Sequence, residues 1–180
     1  IRLLDAETGT ISSMIRTTMD GRVRALAFSP DGRYLAAGCA FIDSRITVWD
    51  AQRKALITLS GHHGFIGGLA FSPDGRYLAS ASGDQTVKLW NTGNWVEEST
   101  LLAHTEEVRA VDFSPDGSQL ATIGKDAQLH VWDLRRSPKN KPSLRLPVDL
   151  ERVDVSPDGK SLVSISAQGA AQLWDLATLE

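Results

Sequence analysis

The chain has 180 residues, 42% of them hydrophobic and 23% charged, with a formal charge of −3 from 19 basic and 22 acidic side chains. That suits about one globular domain, or part of a larger one, and excludes a disordered or fibrous chain. A single cysteine closes no internal disulfide, the longest nearly apolar run (Leu35 to Ile42) is too short to span a membrane, and mild acidity speaks against a general nucleic-acid binder.

An internal repeat organises the predicted elements. Ser-Pro-Asp-Gly occurs at Ser29–Gly32, Ser72–Gly75, Ser114–Gly117 and Ser156–Gly159, at spacings of 43, 42 and 42. Trp49-Asp50, Trp90-Asn91, Trp132-Asp133 and Trp174-Asp175 keep the same beat, 20, 18, 18 and 18 residues after each serine. In chain order, Ile1–Asp5 reads as the third strand of a unit, with Leu4 in the Trp position. Each full unit then opens with a short run of strand character: Val23–Phe28, Ile66–Phe71, Val108–Phe113 and Arg152–Val155. The tetrapeptide that follows is a turn, because Pro presets φ, Asp favours the third position and Gly accepts positive φ. Second strands follow at Tyr34–Ala37, Tyr77–Ser80, Gln119–Thr122 and Ser161–Ser164. Third strands end on the tryptophans, and a looser fourth, such as Ala55–Leu59, precedes the next unit. Four short strands per ~42 residues, with almost no helical periodicity, describe one blade of a β-propeller.

These residues resemble the WD-repeat β-propeller family over essentially the whole chain. The family hallmark is a Gly-His pair, an Asp between the second and third strands, and a closing Trp-Asp. Gly61-His62, Asp84 and Trp90-Asn91 match it in one unit; Ala103-His104, Asp126 and Trp132-Asp133 match it in the next. The His-to-Asp spacing is 22 and the Asp-to-Trp spacing 6 in both. The resemblance implies a structural hydrogen-bond network completed by Ser80 and Thr122, with Trp49 and Trp174 at the equivalent positions of the outer units. There the match weakens: Met19 and Ala37 stand at the His and Ser/Thr positions of the first unit, and Leu146 and Gln168 at the His and Asp positions of the last. Packing alone is expected to hold those two.

The fold expected is therefore all-β, a propeller of four-stranded antiparallel blades with about four blades present and the ring incomplete. Residues 1–22 read as the end of a preceding blade, 23–62 as blade one, 63–104 as blade two, 105–149 as blade three and 150–180 as blade four with its fourth strand cut short. A segment of a larger propeller fits best, with pairing of two copies into an eight-blade ring as the alternative.

No catalytic, metal or cofactor set is expected. His62 and His104 belong to the repeat, and His130 lies on an alternating strand, so the histidines have no ligand spacing. Cys39 sits among small residues as a packed thiol. No G-x-S-x-G makes a serine a nucleophile, and His62–Gly68 is glycine-rich without a phosphate-binding pattern. Arg135–Arg145, with five positive side chains, reads as a solvated loop with the alternative of a dock for an acidic partner or for phosphate. Trp95 is either a partner anchor or a cover for its own blade.

The turns entering each first strand and joining the second to the third carry side chains that vary on a constant scaffold: Arg22, Arg24, Phe65, Glu107, Arg109, Glu151, Arg152, Ile42 and Lys125. That is the logic of a binding surface. In the family this face receives peptides or domains, so the resemblance implies a non-enzymatic scaffold for protein or peptide partners. Other domains of the same chain or a second propeller segment count among those partners; a specific nucleic acid and a membrane do not. The competing class is a propeller enzyme or small-ligand sensor using the central channel, which needs converging polar side chains where the first strands read as small and apolar. One cysteine and no Asn-x-Ser/Thr favour the cytoplasm.

Overall fold

A computed structural model of the chain describes residues 1–15, 21–40, 44–50, 52, 54–102, 104–135, 139–140, 144–145, 150–176 and 178, with backbone alone at 139–140 and 144–145. Met19, Ile42, Ala103, Leu146 and most of the basic loop after Arg135 lie outside the described residues. Every element among those described is a strand, and every pairing is antiparallel; none is a helix long and apolar enough to cross a membrane.

A hairpin of β1 (Arg2–Leu4) and β2 (Ile11–Met14) comes first. The first full sheet is β3 (Val23–Phe28), β4 (Tyr34–Cys39), β5 (Ile46–Asp50) and β6 (Ala55–Leu59), in that order. The second repeats it with β7 (Ile66–Phe71), β8 (Tyr77–Ser82), β9 (Thr86–Asn91) and β10 (Val96–Leu102). In the third, β11 (Val108–Phe113), β12 (Gln119–Gly124) and β13 (Gln128–Asp133) are regular. Against its third strand the described residues place β14 (Lys139–Asn140) and β15 (Leu144–Arg145), which both pair with β13. The last sheet holds β16 (Leu150–Val155), β17 (Ser161–Ser166) and β18 (Ala171–Asp175). Among the described residues, blades of four antiparallel strands are thus complete in two sheets, the third has two outer stretches against β13, and the fourth has three strands.

The tetrapeptide turns are built alike. Each serine hydroxyl donates to the turn Asp at 2.6 Å and accepts the backbone N–H of the residue opening the next strand at 2.9 Å. Each glycine has φ between 68° and 70°, the left-handed conformation that the turn requires. The serine thus also fixes where the second strand begins.

The sheets stand face to face with the apolar core between them. Ala36, Ile46 and Val48 of the first sheet pack on Ile66, Leu69, Leu78 and Trp90 of the second. Val87 and Leu89 meet Val111, Phe113 and Trp132 of the third in the same way, and Ile123 and Val131 meet Val155, Leu162 and Trp174 of the last. Trp49 packs with Leu35 and Cys39 under Ile1, Leu3 and Ile15 of the hairpin. Each repeat tryptophan therefore faces the sheet before its own. The expectation that packing alone holds the last unit is corrected, because the Trp174 indole N–H donates to Ser164 at 2.9 Å. On the outward faces, Leu26 and Phe28 are 51% and 60% exposed and Leu173 is 73% exposed, whereas Leu69 and Val131 at equivalent register are buried.

Close approach sets the joint between the first two sheets. A Cβ added at Gly38 would lie 2.4 Å from Cβ and Cγ2 of the fully buried Ile66. Gly38→Ala is therefore expected to cost about 1–3 kcal/mol through overpacking, read as a lower urea midpoint with an unchanged slope. A loss within about 0.5 kcal/mol would mean that this joint yields freely.

Candidate functional site: a charged groove between the inner strands

Two buried networks fix the scaffold. In the second sheet the Trp90 indole N–H donates to Ser80 Oγ at 2.9 Å, and Ser80 lies 2.7 Å from His62 Nε2. His62 Nδ1 lies 2.8 Å from Asp84 Oδ2, so the carboxylate holds that nitrogen's proton and leaves Nε2 to accept from the serine. In the third sheet, Trp132, Thr122, His104 and Asp126 repeat the chain at 3.1, 2.9 and 3.1 Å. Burial pushes the Asp84 carboxyl up, but hydrogen bonds from His62, Thr86 and the His63 N–H outweigh it and hold the group well below the usual carboxylate range. Burial lowers the pKa of His104 against the pull of Asp126, which keeps this ring neutral.

Spacing gave no hint that histidines would converge, yet His104, Asp126 and His130 offer possible ligand atoms within 4.8 Å of one another. Both nitrogens of His104 are already engaged, by Asp126 and Thr122, and His130 meets His104 edge-on at 4.5 Å. The cluster is thereby part of the structural network.

The surface-facing chemistry lies on the inner strands β3, β7, β11 and β16, which stand side by side. At the same level in each, the pairing to the second strand shifts register by one residue. The extra residue is Arg24, Gly67, Arg109 or Glu151, which such a bulge re-aims. An open groove of about 650 Å³ runs between the four strands, lined by these residues with Leu26, Gly68, Val111, Arg152 and Val153. In it, Arg109 donates to Glu151 at 2.6 Å, Arg24 lies 3.9 Å from the other Glu151 oxygen, and the Arg24 guanidinium sits 5.0 Å over the Phe65 ring.

At the rim, the carbonyls of Arg22, Phe65 and Glu107 accept N–H groups from Ala40, Gly83 and Lys125, each at 2.8 Å. This clip joins the entry turn to the second-to-third-strand turn in each of the first three full sheets. Arg22 and Lys125 are exposed there, and Phe65 and Glu107 half-buried.

Two expectations need correction. Arg24, Arg109, Glu151 and Arg152 lie within inner strands and line the groove, where entry-turn positions were expected. The inner strands are also not uniformly small and apolar, since these four and the unforeseen Asp112 and Asp154 sit on them. The only signal for the last two was an Asp where the first two units have Ala27 and Ala70. Of the ambiguous residues, Trp95 packs edge-on against Tyr34 of the preceding sheet at 5.1 Å, so it covers a blade joint. Arg135 of the basic loop is paired with Asp133.

Asp112 joins the third sheet to the fourth. Its carboxylate accepts the Val155 N–H at 2.8 Å on the inner edge of β16 and the Phe113 N–H at 2.9 Å. Burial first, and then the neighbouring Asp154 carboxylate, push Asp112 up to about 6 despite those two bonds.

The WD domain, G-beta repeat family matches residues 12–50, 53–91 and 95–133. Each matched unit starts at an outer strand and ends on the third strand of the following sheet, so units straddle sheets. The chain is 37% identical over 77 residues to Protein HIR1 of Mycosarcoma maydis, covering 42% of this chain and 7% of that protein. It is 31% identical over 85 residues to the U3 snoRNP-associated protein-like EMB2271 of Arabidopsis thaliana, covering 47% of this chain and 17% of that protein. The matched stretches span 7% and 17% of the lengths of these relatives.

Two predictions follow from this geometry. Ser80→Ala leaves both the Trp90 N–H and the His62 nitrogen without their buried partner, at an expected cost of about 1–3 kcal/mol. Ser164→Ala, under a half-buried Trp174, should cost less; equal losses in chemical denaturation would contradict the network. The second concerns pH. Asp112 is raised, so between its unfolded value of 3.8 and about 6 only the folded state keeps the proton. Its stabilising contribution is full below that window and is lost as pH rises through it. Asp154→Asn removes the repelling charge and should raise Tm by roughly 2–4 °C near pH 8 but little near pH 4.5. The same gain at both pH values in thermal melts would rule the carboxylate pair out as its cause.

Proposed function

This chain belongs to the WD domain, G-beta repeat family, and from that premise we propose that it is a non-enzymatic interaction scaffold that binds a protein or peptide partner across the groove face. The supporting observation is the set of four bulges at one level of four inner strands, carrying Arg24, Gly67, Arg109 and Glu151 on a common backbone. A surface whose scaffold repeats while its side chains vary encodes a specific partner, and rigid strands lower the ordering cost of binding.

We divide the propeller segment into blades at 23–62, 63–104, 105–149 and 150–180, with 1–22 closing a preceding one. The apolar faces carrying Leu26, Phe28 and Leu173 are where further blades, from the same chain or a second copy, would stack. One relative's name places that protein with a U3 snoRNP, and we take membership of a multiprotein assembly as the working setting here too. The cytoplasm is proposed on the single cysteine and the lack of Asn-x-Ser/Thr. A channel enzyme would draw on Asp112 and Asp154, but one Asp112 oxygen already serves the joint to β16 and the other the Phe113 N–H, which favours the scaffold reading.

The test is selection of phage-displayed peptides of ~12 residues on the chain, then affinity measurement on the parent and on an Arg24→Glu/Arg152→Glu variant. Circular dichroism checks that the variant is folded, since Arg24 also faces Glu151 and Phe65. Selected peptides should bind it at least about tenfold more weakly, a loss of ~1.4 kcal/mol. Undiminished binding would place the partner surface elsewhere.

A further inference from the structure

We propose that the groove receives an acidic segment of a partner protein, an Asp or Glu carboxylate entering between Arg24 and Arg109 where the chain's own Glu151 now lies. This rests on the scaffold reading above and adds the chemistry of the partner.

Three arginines (Arg24, Arg109, Arg152) and one carboxylate, Glu151, line the groove, so it is cationic although the chain as a whole carries −3. A local reversal of sign in a concave site attracts ligands of the opposite charge. Glu151 already marks the carboxylate position. Its contact with Arg109 is a tight 2.6 Å, but Arg24 stays 3.9 Å away, an ion pair beyond hydrogen-bond reach. Arg24 is held over Phe65 instead, with 36% of its side chain exposed, and Glu151 is 39% exposed. A cation fixed by an aromatic face, near a carboxylate that does not reach it, is preorganised for a second one. Between the two arginines β7 presents Gly67 and Gly68, and its third lining residue, Leu69, is buried, so the glycines leave the entry open at the level of the arginines.

Depth is set by the opposite charge. Asp112 and Asp154 lie three positions beyond Arg109 and Glu151 on the same strands, about 10 Å along. An acidic occupant is repelled from that end and kept at the arginines.

The experiment uses fluorescein-labelled peptides of ~12 residues. One has Glu interspersed with Gly and Ser, one has Gln at those positions and one has Lys. Fluorescence polarisation against the parent should show the Glu peptide binding at least about tenfold tighter than the other two, weakening as salt rises. Glu151→Gln removes the internal competitor and should tighten the Glu peptide several-fold. Arg24→Gln should weaken it, Arg24→Lys should restore part of the binding, and Arg76→Gln on the far turn should change nothing. Circular dichroism confirms that each variant is folded. Equal effects of Arg24→Gln and Arg76→Gln, or no gain with Glu151→Gln, would overturn the proposal. If phage-selected peptides need the groove but the Glu peptide does not bind, this inference falls and the scaffold reading stands. If no peptide needs the groove, both fall.

Discussion

Each sheet in this chain is apolar on both faces, and that constraint governs the rest of the structure. A four-stranded sheet with Ala36, Ile46 and Val48 on one side and Leu35, Ala37 and Trp49 on the other cannot stand alone in water. It must be covered twice. Stacking the next copy against it satisfies one face and presents a new one, so the architecture propagates by the same rule at every joint. The tryptophans serve that rule by always facing backwards. The joints are close enough that Gly38 stands where any side chain would strike Ile66.

Stacking leaves the inner strands with an unpaired edge toward the axis, and this edge becomes the working surface. Four unpaired edges in a row would ordinarily invite further strands. Here the bulges interrupt them and project Arg24, Arg109 and Glu151, while Asp112 occupies one of the exposed N–H groups on β16. The feature that protects the edge also displays the charges. The buried histidine networks also tie the entry turns of the second and third blades to the turns that carry Asp84 and Asp126, which keeps those blades stiff enough for the groove to hold its shape.

Much of the fold was legible because it is written repeatedly. A turn spelled Ser-Pro-Asp-Gly at four even intervals leaves little freedom in where strands begin, and the spacing of His62, Asp84 and Trp90 anticipated contacts between residues up to 28 positions apart. Individual side chains were harder. Phe28–Ala36 and Phe71–Ala79 are identical, yet Phe28 is 60% exposed and Phe71 only partly so, since burial depends on what lies opposite. The bulges were invisible to a period-two reading, which took Val23–Phe28 and Val108–Phe113 as unbroken strands. Asp112 and Asp154 drew no notice in strands read as small and apolar, because their meeting belongs to the packing of two sheets, and no single repeat contains it.

The stagger between repeat units and sheets has a mechanical meaning. A break of the backbone in the β5–β6 hairpin, where Asp50 and Lys54 exchange hydrogen bonds, would leave two pieces still laced by a strand ladder. A break between β6 and β7 would leave sheets joined by side-chain contact alone. The chain is therefore threaded like overlapping tiles, each unit lending its first strand to the sheet before it. Force or proteolysis applied at the tile overlap meets hydrogen bonds in shear, whereas the same insult between sheets meets apolar packing, reinforced at the third joint by the bonds of Asp112 and Arg109.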